Sequence, residues 1–125
     1  MAILIKRMEA EISSAFIKFQ RDLLGRGPQE AKTYIVQDMV ITRFKGVLTT
    51  EEKHLVSHEK GKMLVKQMRQ VLLEMYSRDF EEIVEKITEC KVLSSHSDIS
   101  TKTGERIEVF IIDKDLQKYL EQKQS

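Results

Sequence analysis

One cysteine, Cys90, is all this chain has, so it cannot close an internal disulfide and the small cysteine-stapled scaffolds are excluded. A charge excess is missing too: 21 basic residues against 20 acidic ones leave a net charge of +1. Nucleic-acid binders draw most of their affinity from phosphate contacts and counterion release, which needs a basic surplus. Nucleic acid is therefore a disfavoured partner, and so is a polybasic anchor to a membrane surface. Long apolar runs are also lacking. The longest notable one, Val109 to Ile112, is far short of the roughly 18 residues that span a bilayer, so no direct membrane insertion is expected. The opening residues turn charged directly after Ala2 to Ile5 and so lack a signal-peptide core. The expected location is cytoplasmic.

What is present suits one self-supporting domain over residues 1–125, with 41% hydrophobic and 33% charged residues. Ile5, Met8, Ile12, Ala15, Phe16, Phe19 and Leu23 recur at steps of three and four. That spacing predicts one amphipathic helix from Ala2 to Leu24, stopped by Gly25 and kept from resuming by Gly27-Pro28. Lys32 to Gln37 and Met39 to Phe44 are rich in β-branched and aromatic residues and read as a hairpin turning at Asp38. Thr49 with Glu52 three positions later forms a capping-box signature. The helical pattern it opens runs to Ile87, with Gly61 inside it. A possible break at Ser77-Arg78-Asp79 leaves one bent helix and two consecutive helices both open. Two further strands, Lys91 to Ser97 and Arg106 to Asp113, turn at Thr103-Gly104. A short helix on Leu116, Tyr119 and Leu120, with Asp113 as its cap, ends the chain. The order predicts an α+β two-layer sandwich: an antiparallel four-stranded sheet from two hairpins, with long helices packed on it. The last strand is apolar on both faces, through Ile107, Val109 and Ile111 and through Phe110 and Ile112, which calls for a second cover by a helix or a partner subunit.

Chemistry is harder to find. Glu51, His54 and His58 share helical spacing and form a candidate metal set. The metalloprotease pattern, however, needs glutamate directly after the first histidine, where Leu55 stands, and a solvated helix start is the default reading. Ser94-Ser95-His96-Ser97-Asp98 holds the residue types of a serine triad without the nucleophile elbow, and reads as a polar edge strand. Cys90 reads as a buried, inert thiol. Lys62, Lys66 and Arg69 form a basic face suited to an anion, a nucleotide or a partner protein, against a solvated face as the default. Arg69, flanked by Met68 and Val71, is suited to a paired, half-buried role. No catalytic residues and no cofactor are expected.

With those residues in place, the chain resembles the MpsC-like family of small bacterial proteins, formerly catalogued as a domain of unknown function. The likeness covers nearly the whole chain. It rests on Gly25-Arg26-Gly27-Pro28 after the first helix, on Gly46-Val47-Leu48-Thr49 followed by Glu52, on Gly61 with Arg69, and on Val109-Phe110. The resemblance implies a soluble accessory subunit of a system for membrane-potential generation and cation or bicarbonate uptake, with membrane transporter subunits as partners. The leading expectation is a non-enzymatic interaction protein, a homodimer, serving such a system. The alternative is a small anion- or nucleotide-binding sensor that uses the basic helix face.

Overall fold

The computed structural model describes residues 2–124. Helix α1 spans Ala2–Leu24 and stops at Gly25, whose φ of +78° lets its N–H return to the Arg21 carbonyl at 2.9 Å. Strands β1 (Glu30–Val36) and β2 (Met39–Lys45) pair antiparallel with Val36 opposite Met39. Gln37 and Asp38 form the turn. Gln37 takes φ +57°, the sign that the first position of a two-residue hairpin loop requires. Its N–H is held at 2.9 Å by Gln117 Oε1 of the last helix, so a tertiary contact replaces the missing glycine.

Helix α2 (Thr50–Leu55) opens on the expected capping box, with both reciprocal bonds between Thr49 and Glu52 formed. Helix α3 then runs unbroken over Glu59–Thr88. The sequence places a possible break at Ser77–Asp79; the structure puts it at Val56–His58 instead, and Gly61 shows why. A Cβ on Gly61 would overlap the Leu55 carbonyl, so this glycine lets the first turn of α3 press against the end of α2. Strands β3 (Val92–Ile99) and β4 (Arg106–Ile112) form the second hairpin, and α4 covers Leu116–Gln124. Asp115 caps α4, accepting the Lys118 N–H at 2.9 Å. Asp113, the expected cap, accepts the Lys91 N–H instead.

The strand order is β1-β2-β4-β3, all antiparallel, which is the α+β sandwich expected. One sheet face carries Ile35, Val40, Phe44, Phe110 and Ile112, buried against Ile12 and Phe16 of α1, Phe80 and Val84 of α3, and Leu116 and Leu120 of α4. Phe16 is the hub, its ring centroid 5.3–5.9 Å from those of Phe44, Phe80 and Phe110, a range in which tilted aromatic pairs attract. On the opposite face Tyr34, Ile41 and Val109 stand in one cross-strand row and Val36, Met39 and Ile111 in the next. These side chains are exposed or half-buried, so the second cover called for by the apolar last strand is not supplied by the described helices.

Candidate functional site

Helix α3 offers two different surfaces, one turned toward the sheet and one toward solvent. On the inner side, the capping box at the start of α2 fixes Glu52, and α3 brings Arg69 to it. Arg69 Nε donates to Glu52 Oε2 at 2.9 Å and Nη2 donates to Glu52 Oε1 at 2.5 Å, a bidentate pair. Arg69 Nη2 also donates to the Val47 carbonyl at 2.6 Å, while Glu52 Oε1 accepts the Thr49 N–H at 2.8 Å. The pair is nearly dry: the side chains retain 14% and 4% of their exposure. Burial pushes the Glu52 carboxyl pKa up, but the Arg69 guanidinium and the Thr49 N–H outweigh it and hold the group below the ordinary glutamate range.

A second buried guanidinium lies close by. Arg106, at the start of β4, stacks on the Phe44 ring at 4.4 Å and lies 5.5 Å from the Phe80 ring. Its Nη2 donates to Gln20 Oε1 of α1 at 3.0 Å. Its nearest carboxylate is looser than that of Arg69, with Nη2 3.6 Å from Glu108 Oε2. Arg106 Nε and Glu108 Oε2 are both buried without a hydrogen-bond partner, and such orphaned groups call for an explanation. Burial pushes the Glu108 carboxyl up against the opposing pull of Arg106. Burial, helped by the nearby Arg69 charge, pulls the Arg106 pKa down against Glu108.

Two small cavities open between α3 and β3. One, of about 100 Å³, is lined by Lys66, Arg69, Gln70, Ser97, Asp98 and Arg106 among others. Its neighbour, of about 190 Å³, has Glu74, Ser77, Ser95 and Glu108 in its lining. Of the basic set expected on α3, Lys66 and Arg69 therefore converge, joined by Arg106. Lys62 stands apart, 3.4 Å from the Glu59 carboxylate. Sequence reasoning missed Arg106, Glu108 and Gln20. A signal for the first two was present, since they share strand parity with Phe110 and Ile112 on the buried face.

Glu51, His54 and His58 are exposed. His54 belongs to the last turn of α2, whereas His58 is the extended residue preceding α3, so the single-helix spacing assumed for them is broken. Among the described residues, no three His, Cys, Asp or Glu side chains gather in a way that could hold a metal. Ser94 Oγ lies 3.3 Å from His96 Nε2 on the exposed edge strand, while Asp98 Oδ1 accepts the Ile99 N–H. Cys90 is buried, its thiol pushed up by burial and donating to the Thr88 carbonyl at 3.4 Å.

The solvent side of α3 carries an apolar stripe. Leu64, Met68, Val71 and Met75 are all exposed, and their 4-3-4 spacing forms one continuous seam of heptad type. Leu24 and Leu55 are exposed as well, and with Met68 and Leu72 they line a groove of about 390 Å³ that also reaches Arg69 and Glu52.

Comparison with known proteins gives the family of this sequence. The family model described as Na+-translocating membrane potential-generating system (MpsC) matches residues 5–114. The chain belongs to the MpsC family. Uncharacterized protein YbcI of Bacillus subtilis (strain 168) is 41% identical over 114 residues, covering 91% of this chain and 92% of that one. Uncharacterized protein YrhF of the same organism is 26% identical over 116 residues, covering 92% and 95%. No solved structure matches. Among the described residues of this MpsC-family chain, no helix is long and apolar enough to cross a membrane.

Proposed function

We propose that this chain is a non-enzymatic, cytoplasmic accessory protein of a membrane transport or membrane-potential-generating system, and that it works as a homodimer joined through α3. The seam of Leu64, Met68, Val71 and Met75 carries the reading. At 30 residues α3 is about 45 Å long, against about 24 Å for a seven-residue strand, so its own sheet cannot cover all of it. An exposed apolar stripe of this kind marks an interaction surface.

The charge pattern selects a second copy as its occupant. The first half of α3 carries Lys60, Lys62 and Lys66 against Glu59, and the second half Glu74, Asp79 and Glu82 against Arg78 and Lys86. Arg69, Glu81 and Glu85 are left out of this balance because they are paired within the fold. A two-fold, antiparallel pairing centred between Met68 and Val71 sets each basic half against an acidic half and brings Leu64 level with Met75 of the other copy. A parallel pairing would oppose like charges. The family description supplies the transport context. Crosslinking and co-purification from the native cell test that context. Recovery of membrane transport subunits in the membrane fraction is the expected result; recovery of the chain alone would contradict the accessory role.

A further inference from the structure

The geometry points to an oxyanion-binding site in the cavity between α3 and β3, centred on Arg106 and completed by Lys66 and Arg69. Three cationic side chains from two layers of the fold line this space. Arg69, its Nε and Nη2 fixed by Glu52 and Val47, lines the cavity with Lys66. Arg106 is the decisive residue. Its side chain is 13% exposed and lines the cavity. Its Nε–H has no partner and is sealed from the cavity by neighbouring atoms, so it senses a bound anion through the guanidinium rather than by direct contact. A planar guanidinium held by two aromatic rings and Gln20 cannot swing away to find a partner for it. The Glu108 carboxylate lies 3.6 Å from Nη2, beyond hydrogen-bond reach.

Glu108 faces Arg106 across 3.6 Å without making a hydrogen bond, so the guanidinium keeps donor capacity that its own carboxylate does not use. Ser97 and Gln70 provide hydroxyl and amide donors in the same lining. Asp98 is the acidic residue there, and its Oδ1 accepts the Ile99 N–H. A volume of about 100 Å³ suits a single tetrahedral or trigonal oxyanion, either free or as the head group of a larger ligand. A whole nucleotide would not fit inside.

The test follows the Arg106 Nε–H signal by nitrogen–proton NMR while inorganic phosphate is titrated at constant ionic strength, with chloride as the matched control. The expected result is a saturable shift of Arg106 Nε–H and the Ser97 amide with phosphate and none with chloride. Lys66→Glu weakens binding at least tenfold, whereas Lys62→Glu, the same charge change on the same helix but off the cavity, leaves it within twofold. Both lysines are at the surface, so the comparison does not depend on disturbing the core. A phosphomonoester arm separates the sources: tighter binding assigns a head group, and weaker binding a free anion. A shift that never saturates, an equal response to chloride, or equal weakening by both lysine variants would overturn the site. Loss of the homodimer would not, because the cavity is built within one chain.

Discussion

At Arg69 the guanidinium meets a carboxylate edge to edge and a backbone carbonyl besides, so removing the negative charge leaves a cation with little water to turn to. Stripping one partner from a buried pair costs about 3 kcal/mol at the low end of its range, and the residual 14% exposure of Arg69 favours that low end. Glu52→Gln is therefore expected to lower unfolding stability by about that amount, read as a shift in urea midpoint. Two buried carboxyls also bend the pH profile in opposite directions. Glu52 has a depressed folded pKa, so its contribution is full above the ordinary glutamate range and lost as pH falls through the folded value. Glu108 has a raised one, so its contribution is full below that range and lost as pH rises through the folded value. Urea midpoints measured against pH should thus decline as pH rises above the ordinary glutamate range in the native sequence and flatten there in Glu108→Gln; an unchanged decline in the variant would contradict the assignment. Arg69 was legible because Met68 and Val71 flank it, and Glu52 because the capping box names it. The partnership between them was not, since it joins residues seventeen positions apart across a helix break.

Among the elements, α1, both hairpins and the capping box were readable from periodicity and turn residues, because those signals are local. The break between α2 and α3 was misplaced for a physical reason. Ser77-Arg78-Asp79 looks polar enough to end a helix, but Arg78 spans it with ion pairs to Glu81 at 3.2 Å and Glu85 at 2.9 Å, which support a continuous helix. Gly61 looks like a helix defect of about 1 kcal/mol relative to alanine, yet it is the contact point of two elements. Gly61→Ala should accordingly destabilise rather than stabilise, by about 1–3 kcal/mol as an overpacked site, in thermal or urea unfolding. A gain in stability would mean that the α2–α3 corner opens freely. The cap of α4 was assigned two residues early for a similar reason: Asp113 has a tertiary partner in Lys91 that local sequence does not reveal.

Across the whole molecule, the α+β sandwich followed from element order, whereas the unpartnered surfaces emerged only when the layers were assembled. The stripe of α1 faces the sheet at its centre, with Ile12 and Phe16 fully buried, while Leu23 at its end is exposed. The exposed seam lies on α3. A charge at its centre, Val71→Asp, should prevent association while leaving helix content unchanged by circular dichroism, and raised salt should weaken a dimer held partly by opposed charged halves. The most direct measurement is sedimentation equilibrium of the native chain and of Val71→Asp at micromolar concentration. Twice the chain mass for the native protein and a single chain mass for the variant is the result predicted; a native monomer, or a Val71→Asp dimer of undiminished stability, would contradict the α3 interface.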